Sequence, residues 1–236
     1  MATNRRALLV GAAALAVAGG AHAAGARKGR HEAPVKTAAK APAAPAAPPP
    51  PTPGLLPDDM VLGKASAPVT VIEYASASCP HCARWALESF PDFKKRFIDT
   101  GKVRFIFREF ITPPEGLAIA GFLIARKAGP DHYFQVVHDV FAAQPEFYAK
   151  APTATPIDIL KRIGRANGLT DEDVDTALSD QAAVDAIYAR VQGYATTDHV
   201  DSTPTFLVGD QRIVGENASA QLAVAIEKAR KQRGKS

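Results

Sequence analysis

Cysteine is nearly missing from this chain. Its 236 residues hold two, Cys79 and Cys82, with two residues between them. A structural zinc site needs four ligands, usually two separated pairs, and there is no second pair. His81 lies between the cysteines, where its side chain diverges from theirs, and His132, His138 and His199 are far away in the chain. No metal site is therefore expected. Haem attachment needs a histidine directly after the second cysteine, and that place holds Ala83. A bridge across two residues closes a tiny loop and removes little chain entropy, so a structural staple offers little to a core of about 180 residues.

An excess of one charge is also missing from most of the chain. Residues 1–53 carry seven Lys/Arg and one acid, while the remaining 183 carry 21 Lys/Arg and 23 acids. The basic balance belongs to the N-terminal stretch. No basic stripe with interleaved aromatics occurs, so nucleic acid is not an expected partner. Long apolar runs are absent too. Ala7 to Gly20 is apolar but mostly Ala and Gly, too short and too weakly hydrophobic for a spanning helix. Arg5 and Arg6 precede it and Ala21-His22-Ala23 follows it, which is the anatomy of an export signal over residues 1–23. An uncleaved N-terminal anchor is the alternative, and the paired arginines leave both the general and the twin-arginine export routes open. Export from a bacterial cytoplasm leads to the oxidising periplasm, where disulfides persist. Residues 24–53 form an Ala/Pro-rich linker, with eight prolines between Ala33 and Pro53; such a run stays extended and acts as a semi-rigid tether.

The rest, residues 54–236, reads as one folded domain. PVTVIEYAS (68–76) alternates and is β-branched, as a strand does. A helical pattern starts at Cys79, with Trp85, Phe90, Phe93 and Phe97 near one face. Pro91 should kink or split it. KVRFIFREF (102–110) is a second strand, which completes a βαβ unit. From about 114 to 197 the pattern is helical: 115–129, 131–144, 156–168 and 180–196, with Thr170 and Asp173 as a capping pair. These segments predict an inserted all-helical subdomain. Short strands return at 203–210 and 211–216 around Gly209-Asp210, and a helix over 219–232 ends the domain. Asp58–Leu62 is expected as an edge strand. The fold class is α/β, a central mixed sheet flanked by helices.

In this setting Cys-Pro-His-Cys has a direct chemical reading. The start of a helix presents unpaired N–H groups and a partial positive charge. Both stabilise a thiolate at Cys79, and the thiolate is the reactive form. His81 can add positive charge or a hydrogen bond, and Pro80 restricts the loop. Cys82, one turn further in, should be more buried and less acidic, and should resolve a mixed disulfide formed at Cys79. Stabilising the reduced state in this way makes the pair oxidising.

The CPHC after a strand, the helical insertion and the later Thr-Pro before a strand resemble the DsbA family of exported thiol–disulfide oxidoreductases, which have a thioredoxin-like fold with a helical insertion. The resemblance covers about residues 55–232. It implies that Cys79 is the nucleophile, that Cys79 and Cys82 form a redox-active disulfide, and that Pro204 is a cis-proline opposite them. Thr203 would touch the cysteine pair, and backbone at Thr203 and Pro204 would bind the client chain. The acidic residue six positions before the first cysteine is here Glu73, on the strand face shared by Val71 and Ala75, where it could relay the Cys82 proton. The resemblance implies reduced or unfolded exported proteins as clients, a membrane quinone-linked reoxidase of the DsbB kind as partner, and no cofactor. Two alternatives stand beside this one: an isomerase or reductase of the same fold, and a non-catalytic binding module with a structural disulfide. Trp85 is expected in the core, His132 and His138 on helix surfaces, and DEDVD (171–175) at a helix N-terminus.

Overall fold

The computed structural model describes residues 53–234. The expected export signal and nearly all of the expected Ala/Pro-rich linker lie outside the described residues. Among the described residues no helix is long and apolar enough to cross a membrane.

A five-stranded sheet organises the domain, in the order β1-β3-β2-β4-β5. The centre is β2 (Val69–Ala75) beside β3 (Val103–Glu109), paired in parallel with Val71 opposite Phe105 and Glu73 opposite Phe107. Both strands are buried along almost their whole length, which suits their near-continuous Val, Ile and Phe content. The short edge strand β1 (Met60–Leu62) runs antiparallel to β3, at the expected place. On the other side β4 (Thr205–Val208) runs antiparallel to β2, and β5 (Gln211–Val214) antiparallel to β4. Gly209 turns the β4–β5 hairpin with φ of 58°, a left-handed conformation that suits glycine. Both hairpin strands are shorter than the sequence pattern predicts: Thr203 and Pro204 precede β4, and β5 stops before Gly215, whose φ of 96° leaves the extended region.

The β2–β3 crossover is a helix of mixed pitch. It begins with α1 (Pro80–Arg84), loosens to a π turn over Trp85–Ser89, tightens in α2 (Phe90–Phe93) and loosens again over Lys94–Ile98. Pro91 has no N–H to give, and the Phe90 N–H bonds back to the Trp85 carbonyl five residues earlier. The expected interruption at Pro91 takes the form of these wide turns.

The helical block then runs through α3 (Glu115–Lys127), α4 (Pro130–Ala142), α5 (Gln144–Phe147), α6 (Pro156–Ala166), α7 (Asp171–Leu178) and α8 (Gln181–Thr197). Thr170 and Asp173 form a full capping box on α7, and Thr155 with Asp158 forms another on α6. Helix α9 (Ser219–Arg233) closes the chain. The insertion has no separate core. Phe122, Tyr133, Val140 and Ile159 from it belong to the same buried cluster as Val71, Trp85, Phe105 and Phe206 around the sheet. A second cluster of Ile72, Tyr74, Ile106, Tyr194 and Leu207 covers the opposite sheet face, with α8 supplying Tyr194. Helix α3 comes close to the segment between β2 and α1: a Cβ on Gly121 would stand 3.0 Å from the Ala77 Cβ.

Candidate active site

Strand β2 delivers the chain to the front of the sheet, and Ser76–Cys79 turns it into α1. The turn is closed by the Cys79 N–H, which donates to the Ser76 carbonyl at 3.0 Å. It is braced from the end of β3: the Ser78 hydroxyl donates to the Thr112 carbonyl at 2.7 Å, and the Thr112 N–H donates to the Ser76 hydroxyl at 3.2 Å. Cys79 is the N-cap residue of α1, with extended φ and ψ, and Pro80 takes the first helical position, where no N–H is needed.

The two cysteines, both free thiols, differ sharply. Cys79 is 7% exposed and Cys82 fully buried. The Cys82 thiol hydrogen bond is the largest effect on Cys79 and lowers its pKa to about 5; burial opposes it, and Thr203 and the backbone N–H groups of Cys82 and His81 add to the lowering. Burial pushes Cys82 well above an ordinary thiol, helped by its bond to Cys79 and by the charges of Cys79 and Glu73. One sulfur is thus prepared as an anion and the other as a neutral thiol.

The expected site residues come together around this pair. The Thr203–Pro204 peptide bond is cis, as is Pro113–Pro114. The Cys79 Sγ lies 3.5 Å from the Thr203 carbonyl oxygen. The Thr203 hydroxyl is buried with no hydrogen-bond partner among the described residues, so it is free to donate to a sulfur anion. Glu73 is 3% exposed and faces the same buried cluster as Cys82. Burial raises its pKa to about 8, and the Cys79 charge adds to the rise. The dipole of the neighbouring Trp85 indole N–H opposes this, although that N–H meets ordinary hydrogen-bond geometry with no group. Glu73 also lines a cavity of about 290 Å³, walled by Phe90, Phe105, Phe107 and Phe141 and by the more exposed Lys94 and His138.

His81 departs from its expected part. Its imidazole Nδ1 lies 2.9 Å from Glu216, whose other oxygen accepts from Arg84 at 2.6 Å. The imidazole is committed to that carboxylate, and His81 supports the Cys79 anion through its backbone N–H. Three partners were not expected from sequence. Glu216 follows β5, and Gln144 and Tyr148 hold the active-site turn from the insertion. Nothing in the sequence marks them, because they approach from 65 or more positions away. Trp85 is in the core, in edge contact with Phe206 at 4.8 Å, and His132 and His138 are on the surface of α4, as expected.

A family model described as thioredoxin matches residues 56–228. A Rickettsia bellii protein named as a candidate protein-disulfide oxidoreductase is 31% identical over 173 residues, which is 73% of this chain and 64% of that protein. The chain thus spans less than two thirds of that relative's length. Among solved structures, α-DsbA1 of Wolbachia pipientis superposes with a TM-score of 0.68 at 23% identity, covering 76% of this chain and 94% of that one. BdbD of Bacillus subtilis, in its oxidised form, superposes with a TM-score of 0.64 at 25% identity, covering 73% and 93%. The pairing of a low thiol and a high thiol at a helix N-terminus, facing a cis-proline and roofed by a helical insertion, therefore sits on a chain that belongs to the thioredoxin family and has the fold of the DsbA proteins.

Proposed function

We propose that the protein is an exported thiol–disulfide oxidoreductase that donates a Cys79–Cys82 disulfide to reduced client proteins in the periplasm. The observation that carries this reading is the asymmetry of the pair, with Cys79 acidic and Cys82 held as a neutral thiol. A client thiolate attacks Cys79 Sγ in the oxidised enzyme. The Cys79–Cys82 bond breaks, a client–Cys79 disulfide forms, and Cys82 takes the electron pair. Cys82 needs a proton at that moment, and Glu73 holds one at neutral pH. The cavity beside Glu73 gives water a way to return it. A second client thiolate then attacks the client sulfur, and Cys79 departs as a stable thiolate. The client leaves with a disulfide, and the enzyme leaves with two electrons. The acidic leaving group speeds this step and favours the reduced enzyme. A further oxidant must then accept the two electrons; by the family likeness it is a membrane quinone-linked reoxidase. Backbone at Thr203 and Pro204 is the expected client dock.

The experiment that tests the reading is the equilibrium reduction potential of the pair in glutathione buffers. The expected value is more oxidising than roughly −180 mV, the level of a disulfide isomerase. A value near about −270 mV, that of thioredoxin, would move the protein to the reductants.

A further inference from the structure

The insertion does more than cover the sheet. Gln144, at the start of α5, is buried, and its amide donates to the Ala77 carbonyl at 2.9 Å and to the Cys79 carbonyl at 3.2 Å. Tyr148, just past α5, donates its phenol to the Ser78 carbonyl. Three consecutive carbonyls of the segment that bears the nucleophile are therefore held by two side chains of the insertion. The serine and threonine brace holds the same segment from β3 through hydroxyls, and leaves these three carbonyls alone.

The placement has an electrostatic consequence. A carbonyl oxygen carries partial negative charge, and in a site shielded from water an uncompensated one close to an anion raises that anion's energy. The Cys79 carbonyl belongs to the residue that carries the anion. Besides the Gln144 amide it accepts, among the described residues, only the Ala83 N–H, at 3.1 Å. We propose that Gln144 and Tyr148 are positioning residues through which the helical insertion sets the acidity of Cys79 and hence the oxidising strength of the pair. This rests on the reading of Cys79 as the nucleophile. Tyr148 is suited to the part. It is 41% exposed, and burial together with the Cys79 charge pushes its phenol upward, so it remains a neutral donor beside a thiolate. The other titratable groups around Cys79 are Cys82 and His81 on its own helix and Glu73 from β2, with Glu216 and Arg84 beyond His81.

The test uses Gln144→Met, which keeps the volume and removes the donor, and Tyr148→Phe, which removes the hydroxyl and keeps the ring. Thiolate absorbance against pH reports Cys79, and the glutathione equilibrium reports the pair. Gln144→Met is expected to raise the Cys79 pKa and shift the glutathione equilibrium about tenfold toward oxidised enzyme, which is about 30 mV less oxidising. Tyr148→Phe is expected to shift it in the same direction by about threefold, or about 15 mV. A role in stability alone would lower the melting temperature and leave both readouts at the wild-type values. That result in folded Tyr148→Phe and Gln144→Met, or a shift toward stronger oxidation, overturns the proposal. If wild-type Cys79 itself titrates as an ordinary thiol, the nucleophile reading falls as well; an acidic wild-type thiol that neither variant moves sinks this proposal alone.

Discussion

Two buried carboxylates stand on neighbouring strands and are treated in opposite ways. Glu109, at the end of β3, is 1% exposed. Its oxygens accept from Arg126 at 2.6 Å, Tyr133 at 3.0 Å and Arg190 at 2.8 Å, so one carboxylate ties β3 to α3, α4 and α8. Glu73, on β2, is almost as buried but has no ion pair among the described residues, and its proton is retained to about pH 8. Burial by itself therefore does not decide what a carboxylate does. Cationic partners make Glu109 a strut between the sheet and the insertion. With no such partner among the described residues, burial keeps Glu73 protonated at neutral pH, and under the proposed function it serves as a proton store for Cys82.

The sharpest way to break this contrast is to replace each acid by its amide. Glu109→Gln leaves Arg126, mostly buried, without its ion-pair partner, and leaves Arg190 only its longer pair to Asp58 at 3.8 Å. Breaking a buried pair by removing one partner costs about 3 kcal/mol or more. A matching fall in urea-unfolding free energy is expected, with thiol–disulfide exchange per folded molecule unchanged. A loss of less than about 0.5 kcal/mol, the range of ordinary surface changes, would show that Glu109 is no strut.

Glu73→Gln should do the reverse. It removes a group that is already neutral in the fold at neutral pH, so stability should hold or rise. The Cys82 proton then has no nearby carrier, and client oxidation is expected to slow by at least about tenfold, a modest share of what a placed acid or base supplies. The decisive readout is a split: release of the client from Cys79 keeps its rate, while steps that protonate or deprotonate Cys82 slow. Equal slowing of both would make Glu73 a packing residue.

The contrast also separates what could be read in the sequence from what could not. Alternation along β2 placed Val71, Glu73 and Ala75 on one face, and the structure buries all three. The Pro and Gly punctuation bounded α3, α4 and α6 to within a few residues, because those residues act locally. The CPHC start of α1 was legible for the same reason: cap, proline and cysteine lie within four positions. Arg108 is different. It is 1% exposed, on a strand face that pairs it with the hydrophobic Ile106, and its partners Asp59 and Asp198 lie 49 and 90 positions away. Nothing local marks an arginine as buried when its counter-charges come from distant loops. The His81–Glu216 contact and the Gln144 and Tyr148 clamp were hidden for the same reason, as polar side chains whose partners are set only by tertiary contact.

The finest test of the contrast is the pH dependence of stability in the reduced enzyme. Glu73 has a folded pKa near 8 against about 4.3 unfolded. Between these values the folded state holds a proton that the unfolded state has lost. The group therefore favours folding less and less as pH rises, with a limiting slope of about 1.4 kcal/mol per pH unit. Cys79 has the opposite sign. Its folded pKa is near 5 against about 8.5 unfolded, so across the same window the folded state has already lost a proton that the unfolded state keeps, and stability rises with pH. Because the Cys79 charge also raises Glu73, the two titrate as a pair. The expected outcome is a nearly flat contribution between pH 5 and pH 8 from the two together. Cys79→Ser should expose the falling Glu73 slope, since burial, the larger cause of its shift, remains. Glu73→Gln should expose the rising Cys79 slope, and the double variant should be flat again. A flat curve for Cys79→Ser would mean that Glu73 does not keep its proton in the fold. It would then have lost the property that sets it apart from Glu109.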